Sequence, residues 1–129
     1  MSFQTVLDDI KTKLKVLQGV KTVKVGLEHN LAPSDFPCVR LVPVGFRKGD
    51  NNYGYRICDL LVYFGLPLTE GKTSLEEIFD ELFRLEDAII VQTRRGENYK
   101  SVYQKTIVSP QEVAHYNLMA VQLEVSWEL

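Results

Sequence analysis

The strongest constraint on the fold lies near the end of the sequence, where apolar and polar side chains alternate. Polar residues occupy the even positions Gln122, Glu124, Ser126 and Glu128. The odd positions hold the apolar residues Met119, Val121, Leu123, Val125, Trp127 and Leu129. Successive side chains of a strand point to opposite faces of a sheet, so this segment predicts an antiparallel strand that is buried on one face only.

Two amphipathic segments can cover that face. Residues 3–18 carry apolar side chains at three- and four-residue spacing, which predicts a helix with Ser2 as its N-cap and Gly19 as its C-terminal stop. Residues 69–90 show the same spacing behind two overlapping capping boxes, begun by Thr73 and Ser74. Each segment has a single apolar stripe, so both can pack on one side of a sheet.

Four further segments predict strands, over residues 20–27, 38–46, 55–66 and 100–108. In the second of these, Pro43 predicts an edge or a bulge. The third is apolar on nearly both faces, which predicts burial on both sides or a partner on one side. The order α-β-β-β-α-β-β predicts a single α+β domain over residues 1–129, with a mostly antiparallel sheet of about five strands and two helices packed on one face.

Composition and charge narrow the function classes. The net charge of −2 argues against non-specific attraction to polyanions. No apolar run approaches the roughly 20 residues that span a bilayer, and the first ten residues lack the regions of a secretion signal, so we expect no membrane association. Cys38 and Cys58 then predict buried thiols in a reducing compartment, with a disulfide across a hairpin as the minor alternative.

Catalytic and metal-binding constellations do not stand out. His29 and His115 are far apart, and neither has a cysteine or a second histidine at ligand spacing, so we expect no metal, no cofactor and no enzymatic activity. A small hydrolase that uses one cysteine and one histidine stays an alternative, because such pairs are assembled in space rather than in sequence.

Segment 46–56, FRKGDNNYGYR, has the composition of a ligand loop. A phosphate loop opens into a helix, whereas these glycines lead into a predicted strand. A calcium loop that starts at Asp50 would need glycine in place of Tyr55 and glutamate in place of Leu61. The segment therefore predicts a β-hairpin tip. Together with the polar loop 92–99, it supplies the candidate assembly contacts Arg47, Lys48, Asp50, Tyr53, Arg94 and Arg95.

Charge is unevenly divided along the chain. Nine basic residues stand against five acids through Arg56, whereas residues 75–90 carry six acids and the single cation Arg84. A chain with one basic and one acidic surface can dock head to tail with its own copies, and such contacts close into rings or extend as filaments. Two unrelated solvated surfaces are the alternative. The candidate acidic interface face consists of Glu76, Glu77, Asp80 and Glu81.

The order of these segments is familiar. The chain opens with FQTVLDDIKTKL and a strand, continues through LAPSDFPCVRL and a long hairpin to SLEEIFDELFRLEDAI, and closes with AVQLEVSWEL. This order resembles that of the tail-terminator and minor tail proteins of long-tailed bacteriophages and prophages, over almost the whole chain. The likeness is one of size, order and pattern, without a signature motif.

The resemblance implies a non-enzymatic subunit that assembles into a ring, commonly a hexamer. Such a ring caps the tail tube and joins it to the head, so its partners are further copies, tail-tube proteins and head-completion proteins. Its location would be the virion, assembled in the bacterial host cytoplasm. A small nucleic-acid or ligand-binding module is the alternative function, because basic residues lie beside tyrosines in the two loops.

Overall fold

The predicted order of elements is confirmed. A computed structural model describes residues 2–26, 37–49, 54–67, 75–108 and 116–128. Within these ranges the chain forms α1 (Phe3–Lys15), β1 (Thr22–Val25), β2 (Cys38–Lys48), β3 (Tyr55–Pro67), α2 (Leu75–Thr93), β4 (Lys100–Val108) and β5 (Tyr116–Glu128). The domain is therefore α+β, as predicted.

The five strands form one sheet in the order β1-β2-β3-β5-β4. Strand β1 is parallel to β2, and all other neighbours are antiparallel. β5 pairs with both β3 and β4, so the strand with the clearest alternation is an interior strand.

Both helices pack on the same face of the sheet. The apolar stripes of α1 and α2 join the odd-numbered side chains of β5 and the even-numbered side chains of β3 in one core cluster. The helical members are Val6, Leu7, Ile10 and Leu14 from α1 and Ile78, Leu82, Leu85 and Ile89 from α2. The opposite face, which we call the helix-free face, carries the alternate side chains of the same strands.

The first helix is shorter than the sequence predicts. Ser2 is its N-cap as predicted, and its Oγ accepts a hydrogen bond from Thr5 N at 3.3 Å. The helix ends at Lys15 rather than residue 18, because the chain tightens into a turn in which Leu17 N donates to Leu14 O. Gly19 lies in this turn with a φ of 87°, which only glycine adopts without strain. The predicted capping boxes at residues 73 and 74 lie outside the described residues.

Two strands contain a bulge. The β2–β3 register shifts between Pro43 and Gly45, which confirms the interruption predicted from Pro43. The β4–β5 register shifts between Tyr103 and Lys105. Pro43 and Tyr103 lie in the same row across the sheet, because each is joined through the Leu60–Leu123 pair. Each bulge therefore adjoins that row.

Candidate assembly surfaces

Arg47 is part of the sheet rather than of a loop, which corrects its predicted position. It pairs with Ile57 near the end of β2, because the hairpin ladder continues to Lys48. On the helix-free face its guanidinium spans three strands. Nη1 donates to Asp59 Oδ2 at 2.7 Å, and Nη2 donates to Glu124 Oε2 at 2.8 Å.

These three residues, the Arg47 cluster, form a half-exposed charged centre on the helix-free face. The hydrogen bond that Arg47 donates to Asp59 is the main reason that the pKa of Arg47 is raised, and Glu124 adds to it. One cation faces two carboxylates, so the cluster has a formal charge of −1. Asp59 is the only acid of β3 and directly precedes its apolar run Leu60–Leu66, and that interruption is the signal from which the cluster could have been suspected.

The two predicted contact loops lie at the same end of the sheet. Lys48 is exposed at the end of β2, and Arg94 and Arg95 are exposed just after α2. A pocket of about 430 Å³ lies between the start of β3 and the loop that follows α2. Its charged lining residues are Arg95, Glu97, Lys100 and Glu128, so its cations and anions balance and it has no preference for a polyanion. Asp50 and Tyr53 lie outside the described residues.

Behind the pocket, the loop packs tightly against α1. Tyr99 is buried, and a side chain on Gly96 would overlap its ring and the Asp9 carboxylate, so this position requires glycine. Burial raises the pKa of Tyr99, and the charge of Asp9 raises it further. Asp9 Oδ2 and the Tyr99 hydroxyl are buried and have no hydrogen-bond partner within the described ranges.

The predicted acidic face lies on the outer side of α2. Glu76, Glu77 and Asp80 are exposed. Glu81 is half-buried and is held by Arg84, whose Nε donates to both of its carboxylate oxygens at 3.0 Å. That hydrogen bonding lowers the pKa of Glu81. The face is therefore acidic at its N-terminal end, although Glu81 is already paired with Arg84 within the chain.

Neither Cys38 nor Cys58 forms a disulfide, so the disulfide alternative is wrong. Cys38 pairs with Gly65 and Cys58 pairs with Phe46, which places them at opposite ends of the β2–β3 ladder. Burial raises the pKa of Cys58 to about 11, with a smaller contribution from Asp59. At neutral pH this thiol is protonated and poorly nucleophilic. The histidines of the hydrolase alternative lie outside the described residues.

The sheet exposes two stretches of strand edge. β4 pairs with β5 on one side. On its other side Arg95 bridges Lys100, Ser101 N donates to Arg94 O, and no described segment pairs with the rest of the strand. Its apolar side chains are exposed on both faces: Val102, Tyr103, Ile107 and Val108. On the other side of the sheet, β1 covers β2 only from Cys38 to Leu41. The remainder of β2 presents Val44 and Phe46 to solvent.

Two packing features were not predicted from the sequence. Phe3, Phe46 and Trp127 form an aromatic cluster, with ring centroids 4.9 to 6.3 Å apart, and it fastens the start of α1 to β2 and β5. Arg40 is fully buried, and its Nη1 donates to Thr22 Oγ1 at 3.0 Å, which ties β2 to β1. No sequence pattern indicates these contacts, because each joins residues that are distant in the chain.

No protein-family model matches the chain, and no curated protein matches it at a significant level. Among the described residues, no helix is long and apolar enough to cross a membrane. The same residues contain no group of three metal-ligating side chains.

Proposed function

We propose that this chain is a non-enzymatic structural subunit that assembles with its own copies into a closed ring. By its resemblance to phage tail-terminator and minor tail proteins, the ring would be a hexamer that ends the tail tube and joins it to the head. Tail-tube and head-completion proteins would then be its partners. The virion, assembled in the bacterial host cytoplasm, would be its location.

The observation that carries this proposal is the exposure of β4. This strand runs from Lys100 to Val108 at the edge of the sheet, beyond the helix layer, and seven of its nine residues are exposed. Long apolar edge strands invite pairing with another chain, and natural monomers usually shorten, charge or cover them. β4 carries Lys100 and Lys105, and Arg95 bridges the first of them, but no described strand pairs with the outer edge from Val102 to Val108. This exposed part of the edge supports a role in assembly.

The distribution of charge gives the proposal further support. The outer side of α2 presents Glu76, Glu77 and Asp80, whereas Lys48, Arg94 and Arg95 are exposed at the hairpin end of the sheet. Opposite charges on different surfaces orient a head-to-tail contact more than they strengthen it. Contacts between two different surfaces of one subunit generate rings when the rotation closes.

Size-exclusion chromatography with multi-angle light scattering tests the proposal. Across a range of concentrations we expect a species whose mass is a fixed multiple of the 14.8 kDa chain, and electron microscopy of the same fraction should show rings. Replacing both Glu76 and Asp80 with lysine should shift the equilibrium toward smaller species. A wild-type protein that stays monomeric at all concentrations would contradict the proposal.

A further inference from the structure

The two exposed edges of the sheet face in opposite directions. One is the outer side of β4 from Val102 to Val108, and the other is the part of β2 from Val42 to Lys48 that β1 does not cover. A strand edge presents a row of backbone donors and acceptors, so each edge offers hydrogen bonds to an additional strand. A single subunit thus carries two separate docking edges.

The directions of the strands make these two edges complementary. β2, β3, β5 and β4 alternate in direction across the sheet, so β4 runs opposite to β2. A second copy placed beside the first in the same orientation brings its β2 next to β4 in antiparallel fashion. Antiparallel pairing is slightly more stable per residue than parallel pairing, and neither copy has to turn over.

We propose that the outer edge of β4 in one copy pairs with the Val42–Lys48 edge of β2 in the next copy, so that the sheet continues from subunit to subunit. The inference rests on the proposed self-assembly, and it names the contact that would build the ring. Because the two edges differ, the contact is heterologous, as a ring with more than two members requires.

Side chains at the two edges fit this pairing. Val44 is 64% exposed on the β2 edge, and Val102 is 58% exposed on β4. Pairing would place both side chains at the contact between the copies. Apolar burial contributes roughly 25 cal/mol per Å², in addition to the backbone hydrogen bonds.

The bulges and β1 restrict the register. A bulged edge is a poor partner for a regular strand. The bulges of β2 and β4 adjoin the same row of the sheet, so they meet each other when two copies lie side by side at the same height. With the copies level, Val102–Lys105 lies against Val42–Gly45 of the next copy, because Arg94 and Arg95 already pair with the outer edge of β4 at Lys100 and Ser101. Beyond Val42 the edge is occupied by β1, which ends the contact.

Gly45 and Val102 are the best pair for a disulfide test. They lie in one row, joined through the Asp59–Glu124 pair, and therefore share the helix-free face. A side chain on Gly45 meets nothing within 4 Å. In the level register these residues of adjacent copies are cross-strand neighbours, at a separation that a disulfide can bridge. Both native cysteines are buried, so they should not compete.

The experiment oxidises the Gly45→Cys, Val102→Cys double variant and separates the products on non-reducing gels. We expect a ladder of dimers, trimers and larger species. Mixing the two single variants should stop at dimers. The matched control carries Gly45→Cys with Val91→Cys, an exposed position on α2 away from both edges, and should give no ladder. If circular dichroism shows that the first variant is unfolded, Val44→Cys with Val102→Cys replaces it.

The outcomes separate the two proposals. A monomeric wild-type protein in light scattering overturns the ring itself. An assembled wild-type protein without a ladder from folded variants overturns only the β4–β2 contact. Efficient dimerisation of Val102→Cys alone would show that β4 pairs with β4 of another copy, and this also overturns the contact.

Discussion

β5 and β4 are adjacent, hydrogen-bonded strands, yet their side chains have opposite surroundings. On β5 every odd side chain from Met119 to Trp127 is buried beneath the helices. On β4 the apolar side chains of both faces reach solvent. The difference arises because α2 lies over β3 and β5, whereas β4 extends past the helix layer. Position relative to the helices, rather than strand propensity, decides what each side chain contributes.

This comparison divides the molecule into a part that holds the fold and a part available for contact. Changes on β5 should reduce the free energy of unfolding. Changes on β4 should leave it nearly unaltered and act on assembly instead. Three comparisons of variants test this division, and they differ in the size of the expected effect.

Replacement of Trp127 by alanine should have the largest effect. Its ring is 1% exposed and packs on Phe3 at a centroid distance of 5.1 Å. Loss of a buried tryptophan costs about 3–5 kcal/mol. The matched change Tyr103→Ala on β4 should cost no more than about 1 kcal/mol, because that ring is 42% exposed and loses a single hydroxyl contact to Thr106. Urea denaturation monitored by circular dichroism measures both, and equal losses would contradict the division.

A smaller effect is expected in the loop between α2 and β4. Gly96→Ala places a methyl group against the Tyr99 ring and Asp9, which must move apart. Overpacking of this kind costs about 1–3 kcal/mol. Gly45→Ala is the matched control, since its methyl group enters open space and should be neutral or stabilise the fold by less than about 1 kcal/mol. Thermal melting at neutral pH compares them, and a Gly96 variant as stable as the control would show that the loop yields.

The smallest effect concerns Cys58, which neighbours Val125 of β5. Burial raises its pKa from 9.0 to about 11. Below about pH 9 the thiol is neutral in both the folded and the unfolded state, and its contribution to the free energy of unfolding is complete. Between about pH 9 and 11 the thiol ionises mainly in the unfolded state, so the free energy of unfolding falls. At pH 10 the loss should be about 1 kcal/mol. Urea titrations from pH 8 to 11 should show a steeper decline for wild type than for Cys58→Ala, and parallel declines would contradict the buried-thiol assignment.

The sequence predicts the elements well because each depends on local periodicity. The alternation in residues 119–129 and the helical stripes appear in the structure as buried faces. Both helices on one face, and the bulge at Pro43, were also predictable from local chemistry. β4 was predicted as a strand, but its exposure was not, since burial depends on where the helices lie.

Strand order and the charged surfaces could not be read from the sequence. The parallel β1–β2 pair joins segments across an intervening loop, and nothing local specifies it. Arg47 was assigned to a loop because the sequence does not show how far β2 pairs with β3. In the structure that pairing continues as far as Lys48 and Arg56, so Arg47 lies in the sheet. Its two carboxylate partners lie 12 and 77 residues away in the chain. The family and the ring stay predictions.

The interior position of β5 also bears on how the protein is made. β5 joins β3 to β4 but follows every other element in the chain. While the ribosome is still synthesising residues 116–128, β3 lacks one neighbour and α2 lacks part of the surface that it covers. Such nascent chains expose apolar strands and unpaired edges, which makes them prone to aggregation. The sheet is therefore completed only after β5 emerges, and prematurely terminated chains should depend on chaperones to stay soluble.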